Sequence, residues 1–294
     1  MTKYLWSFAE SHLGTVLAGT CKCKATPCNV SAMAIPKKIC GIPFPLAAIF
    51  ALVLAYVWVF GRATFLVWHV KKEAAENPRL AMVPAPLTDT SISTSQGTTL
   101  TKFGYQFDVP WELKELKQGD TIAIFGSESG QEALMFWDPA QNKGPVKMMK
   151  NSLGIPSREM ALVYGAQTIQ SDYAFDQAIV NATPSQLSYV LPGRRVVRTA
   201  VLLMLKPTEM IDAETGFYSF ETQQLRGFQN GNPLKAKNVL VKAFDAENRQ
   251  FQFVFGNRSY PNGGPTQADI NLVLQTLRPA PAGQMDEPAK SHAK

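Results

Sequence analysis

The sequence predicts an α+β protein in which an N-terminal single transmembrane helix is followed by an antiparallel-sheet domain flanked by helices. Three observations lead there. An uncharged run of membrane-spanning length occupies Phe44 to Phe60. After residue 98, apolar residues recur at period two in several short segments, the pattern of half-buried strands. A capped amphipathic helix closes the domain between Thr266 and Leu277.

From Ile39 to Gly61 no residue carries a formal charge, and FPLAAIFALVLAYVWVF is apolar apart from the Tyr56 phenol. About 20 such residues, rising roughly 1.5 Å each, cross the hydrocarbon core of a bilayer. Buried helices of soluble cores are usually shorter and carry a polar stripe. Tyr56, Trp58 and Trp68 sit toward the C-terminal end, where amphipathic rings favour the headgroup layer. The patch from Ala63 to Val70, ending at Lys71 and Lys72, reads as the helix emerging through the interface. A cleaved signal peptide fits poorly, because the run begins only at residue 44. The expectation is a retained single-pass signal anchor.

The chain then divides into a cysteine-bearing segment (1–43), the transmembrane helix with its juxtamembrane extension (44–70), a helix end and Pro/Ser/Thr-rich linker (71–98), the α+β soluble domain (99–279) and a disordered tail (280–294). The formal net charge of +6 and pI of about 9.1 invite a nucleic-acid reading, but the distribution argues against it. Residues 1–97 hold 9 Lys+Arg against 4 Asp+Glu, whereas residues 98–279 hold 18 against 17. The excess therefore flanks the apolar run, where basic residues meet anionic headgroups. The expected partners are the membrane and a protein or lipid at the envelope, and no nucleic acid.

Orientation rests on weaker signals. Lys24, Lys37 and Lys38 precede the span, and Arg62, Lys71, Lys72 and Arg79 come after it, which leaves the positive-inside count undecided. The spacer NPRLAMVPAPLTDTSISTSQGTT suits a domain held off a surface. All four thiols lie before the span, as expected of a reducing cytosol. Both favour a cytoplasmic N-terminus and an extracytoplasmic domain.

Those thiols, Cys21, Cys23, Cys28 and Cys40, have a C-x-C-x4-C-x11-C spacing that departs from the paired C-x2-C knuckles of structural zinc sites. Lys22 and Lys24 favour thiolate. Three readings stay open: no site at all, zinc or another thiophilic metal, and a redox or disulfide role.

Within the soluble part, TKFGYQFDV places Phe103, Tyr105, Phe107 and Val109 on one strand face, and Pro110 closes it. DTIAIFG and EALMFWD form two more strands joined by a turn at Ser127 to Gln131. PSREMALVYGAQTI, Pro156 to Ile169, has helical spacing. RVVRTAVLLMLK, Arg195 to Lys206, is mostly apolar between Gly193 and Pro207, and reads as a central strand buried on both faces. KNVLVKAFDAENRQFQFVF reads as a hairpin with its loop at Asp245 to Asn248 and Phe251, Phe253 and Phe255 on one apolar face. Thr266 and Asp269 form a capping box ahead of Ile270, Val273, Leu274 and Leu277.

FGYQFDVPWEL, Phe103 to Leu113, resembles the opening strand and Pro-Trp turn of PsbP-like domains. INLVLQTL, Ile270 to Leu277, resembles their closing helix after the last hairpin. The resemblance implies an antiparallel sheet flanked by helices and a binding or assembly role without shared catalytic residues.

Catalytic chemistry is constrained by composition. The histidines are His12, His69 and His292, and residues 98–279 contain neither His nor Cys. A Ser/His/Asp or Cys/His system therefore cannot be built inside the domain. GSESG carries Glu128 where a nucleophile elbow needs serine. Carboxylates at Glu112, Glu115, Glu128, Glu132 and Asp138 leave a glycan hydrolase as the enzymatic alternative, if two of them face each other. Arg194, Arg195 and Arg198 form a candidate site for an anion or acidic headgroup. The favoured function is a single-pass, membrane-anchored protein with a non-catalytic binding or assembly module; the further alternative is a metal or redox sensor acting through the cysteines.

Overall fold

The computed structural model describes residues 38–39, 42–95, 97–188, 193–208, 211, 214–258, 260–261 and 263–281. The chain divides into two units, residues 1–54 and 55–294. In the first, a two-residue antiparallel ladder joins Lys38–Ile39 to Ile42–Pro43, and helix α1 (Phe44–Glu76) begins. The expected span falls on residues 44–60, most of whose side chains lie outside the described ones; among the described residues no helix is long and apolar enough to cross a membrane. The tail expected to be disordered lies outside the described residues from 282 onward.

The second unit is α+β. Its main sheet contains β1 (Ala85–Pro86), β4 (Leu113–Gln118), β5 (Ile122–Ser127), β6 (Glu132–Trp137), β7 (Phe217–Glu221), β8 (Arg226–Asn230), β9 (Asn238–Phe244) and β10 (Gln250–Asn257). Their spatial order is β1-β7-β8-β9-β10-β6-β5-β4. Every pairing is antiparallel except β1 with β7. A smaller sheet pairs β2 (Thr98–Lys102) and β3 (Tyr105–Val109) with β11 (Arg278–Pro279). Its longer helices are α2 (Ser157–Tyr164), α3 (Asp172–Asn181), α4 (Arg194–Met204) and α5 (Gln267–Thr276).

Strand alternation gives the main sheet two unlike faces. Phe251, Phe253 and Phe255 of β10, with Val239, Val241 and Ala243 of β9, point to the first face. Beneath them lie Phe107 of β3 and Ile270, Val273 and Leu274 of α5. Phe136 stacks on Phe253 with centroids 4.7 Å apart, and Phe107 meets both rings edge-on at 5.3 and 5.6 Å. The expected capping box fixes α5: Thr266 Oγ1 accepts from Asp269 N, and the Asp269 carboxylate accepts from Thr266 N at 2.8 Å.

The helical layer has its own core. Val67 and Val70 from the last turns of α1 are buried with Leu80, Val146, Met149, Met160, Phe175 and Leu203. The stretch around 67–70, expected to emerge through a lipid interface, thus lends one face to the domain, while Phe65 and Trp68 remain exposed.

Four expectations are corrected. The segment Arg195 to Lys206, read as a doubly buried strand, forms instead most of helix α4 and the turn after it; the buried residues of α4 are Thr199, Ala200, Leu202 and Leu203. A short apolar run satisfies both periods, and here one face meets the helical layer while Arg194 and Arg195 stay exposed. The helix expected to reach Ile169 stops at Tyr164, where Gly165 takes φ +99°. The spacer 71–98 stays largely exposed, as a solvated segment does, but is also docked: Ala85–Pro86 extends the sheet, Leu87 N donates to Ser219 O and Leu80 is buried. Its end, Thr98, already belongs to β2, and Phe103 sits with Gly104 in the β2–β3 turn, both at positive φ, rather than in the strand.

Candidate binding cavity

The second face of the sheet is where ligand-sized space remains. Phe217, Asn230, Leu240 and Val254 are cross-strand neighbours on β7, β8, β9 and β10; Phe228, Lys242 and Gln252 form the adjacent row. Helix α3 lies over these rows. Ser171 caps it, its hydroxyl accepting from Ala174 N at 3.0 Å, and Phe175, Ile179 and Val180 form its buried stripe.

Polar hooks fix the first turn of α3. Asp172 is buried, and its Oδ1 accepts from Val146 N at 2.7 Å and Lys147 N at 3.4 Å. Its Oδ2 accepts from Asn248 Nδ2 at 3.4 Å, while Asn248 Oδ1 accepts from Tyr173 N at 3.1 Å. The approach requires glycine at 144, because a Cβ there would lie 2.2 Å from Asp172 Cγ. Tyr173 stacks on Phe228 at 5.7 Å, with the Arg226 guanidinium 4.3 Å from its ring centroid, and burial raises its phenol pKa.

With that turn held, α3 meets the sheet through the Asp176–Lys242 ion pair and through Val180 beside Phe217 and Phe228, and space is left around those contacts. A cavity of about 380 Å³ opens there, walled by Phe175, Ile179, Val180, Leu205, Ile211, Phe217, Phe228 and Leu240. That volume lies in the range of small-molecule sites. Its charged feature is an ion pair between Lys242 Nζ and Asp176 Oδ2, whose side chains are 30% and 13% exposed. Burial raises the Asp176 pKa above the usual carboxylate value; Asp172 one turn earlier adds to the rise, and Lys242 opposes it.

A second, wider groove of about 660 Å³ runs between the β7–β8 turn, residues 87–90 and α5. It is lined largely by Asp89, Thr90, Thr222, Gln223, Gln224, Asn271 and Gln275. Part of that wall is tied to the chain: Asn271 Nδ2 donates to Asp89 O and Ser91 O, which holds the spacer down. A ligand there meets mixed walls, with Leu87, Phe220 and Leu274 beside the polar groups, whereas the space under α3 rewards apolar contact.

The sites expected from sequence fare unequally. Arg195 and Arg198 share a hollow of about 390 Å³ with Tyr164–Thr168 and Thr199, and Arg194 lies outside it. Arg198 is committed structurally, donating to Leu162 O at 3.3 Å and Ala161 O at 3.2 Å at the end of α2. The carboxylates occupy separate local contacts. Glu115 pairs with Lys102 at 3.1 Å, Glu128 with Lys114, Glu132 with Ser129 at 3.1 Å, and Asp138 accepts from Ala140 N at 2.9 Å. The Lys114 contact holds Glu128 below its ordinary pKa, opposite to what a general acid needs. Neither the cavity nor the wider groove is lined by Glu112, Glu115, Glu128, Glu132 or Asp138. Cys21, Cys23, Cys28 and Cys40 lie outside the described residues, and among the described ones no cluster of three His, Cys, Asp or Glu is placed to hold a metal.

Sequence reading missed Asp176 and Lys242. Their signal was present: Lys242 is the lone charge within VLVKAF, and Asp176 interrupts the apolar spacing of DYAFDQAIV. Comparison of the chain with protein-family models, curated proteins and solved structures finds no significant match.

Proposed function

We propose that the chain is a single-pass, membrane-anchored protein whose C-terminal domain is a non-catalytic binding module at the cell envelope. The observation that carries the binding role is the cavity under α3, with apolar walls and one internally neutralised ion pair. Among the described residues the cavity is lined by Asp176 and Lys242 but by no Ser, Thr, Tyr or Cys, so it offers these groups no hydroxyl or thiol nucleophile to activate. The dispersed carboxylates weigh against the glycan-hydrolase alternative, since paired carboxyls must flank one bond.

Anchoring is supported by the apolar run at the start of α1 and by the aromatic and basic residues nearer its end. Phe65 and Trp68 are exposed beside each other, and Lys72 Nζ sits 6.0 Å from the Trp68 ring, a grouping suited to headgroups. Arg195, exposed at the start of α4, supports contact with an acidic headgroup. The orientation rests on the placement of the thiols, with the N-terminus cytoplasmic.

Alkaline carbonate washing of membranes from cells expressing the full chain tests the anchor: the protein is expected to stay in the pellet, and release into the wash would overturn it. Protease added to the outside of intact cells is expected to remove the domain. Full protection would reverse the orientation.

A further inference from the structure

The geometry points to a neutral amphiphile, an apolar chain ending in a hydroxyl-type head, as the ligand of the cavity between α3 and the second face of the sheet. This rests on the reading of the domain as a binding module and names its ligand class. Two observations select it. The walls supplied by Phe175, Ile179, Val180, Phe217, Phe228 and Leu240 are apolar, so most of the occupant must be apolar too.

The second observation is the charge state of the space. Asp176 and Lys242 neutralise each other. An occupant bearing a carboxylate would leave one uncompensated negative charge in a partly desolvated space, and an ammonium one uncompensated positive charge; either costs free energy that a neutral head avoids. The pair also supplies the complement of a hydroxyl. Apart from the Lys242 ammonium, Asp176 Oδ2 has no donor among the described residues and is free to accept an O–H, while Lys242 Nζ is a donor to the hydroxyl oxygen. The raised Asp176 pKa agrees, because it reports a carboxylate short of solvating partners.

The test uses the full chain in detergent-free, peptide-stabilised particles, titrated calorimetrically with 1-decanol, decanoate and decylammonium, which share one tail and differ in head. Particles carrying Ile179→Trp, which fills the cavity, subtract partition into the particle; Val180→Phe serves if that variant does not fold by circular dichroism. The expected result is saturable binding of decanol, one per chain, about tenfold tighter than either charged analogue, the difference vanishing in the filled variant. Asp176→Asn, which leaves Lys242 as the only charge, should turn the preference toward decanoate. Tightest binding of a charged analogue to the unaltered chain overturns the ligand class and leaves the binding module standing. Absence of saturable binding for all three overturns the ligand class and the cavity as the module's site together.

Discussion

The two faces of the main sheet are built from one set of strands and solve different problems. On the first, Phe107, Phe136 and Phe253 are each fully buried and in mutual ring contact, with α5 and the small sheet closed over them. On the second, α3 is held at one end by Asp172, and a cavity with a half-buried ion pair lies between the helix and the strands. The first face maximises contact. The second gives up contact where α3 spans it, which costs stability and leaves room for an occupant.

The sharpest way to break this contrast is Phe136→Ala. Removing a ring with no solvent exposure from the first face should cost about 3–5 kcal/mol in urea unfolding. A loss below about 1 kcal/mol would mean that the first face collapses around the gap and is not the rigid one.

Lys206 probes the helical side. It is buried, and its Nζ donates to Leu80 O at 3.1 Å, Met82 O at 2.6 Å and Ala182 O at 2.9 Å, fastening the docked spacer to the end of α3. Lys206→Met strands three carbonyls and should cost about 2–3 kcal/mol. Burial lowers the Lys206 pKa from 10.5 to about 8. Between those values the unfolded chain binds the extra proton, so stability rises as pH climbs from about 8 toward 10.5. Melting temperatures measured across that window should rise more in the unaltered chain than in Lys206→Met. Parallel curves would show that the ammonium keeps its proton in the fold.

The smallest effects compare enlargement on the two faces. Ala243→Leu adds volume to the closed first face and should cost about 1–3 kcal/mol. Val180→Leu grows into the cavity and should change stability by no more than about 0.5 kcal/mol. Equal costs at the two positions would erase the distinction between them.

Legibility tracked the range of the interactions. The hairpin of β9 and β10 and the capping box of Thr266 and Asp269 were readable, because period-two alternation and a three-residue cap are local signals. Helix α4 was not, since VVRTAVLLM is apolar enough for either period and its partner surface comes from residues far along the chain. The docked spacer was hidden for the same reason: its Pro, Ser and Thr content reports solubility, while Ser219, Ala268 and Asn271, which hold it, lie more than a hundred residues away. The arginine triplet was legible as charge, but not the carbonyls of Ala161 and Leu162 that occupy Arg198.

By itself the sequence determined the α+β class, the strand alternation that makes one sheet face aromatic, the capped closing helix and the absence of His and Cys from the domain. Only the tertiary structure decided where α3 lies, that Asp176 meets Lys242, and that a cavity opens between that helix and the sheet. The physical reason is that periodicity and capping arise between near neighbours in the chain. A cavity, by contrast, is a mismatch between two surfaces, and it takes shape only when Asp172 and Asn248 tie the start of α3 to the turn between β9 and β10.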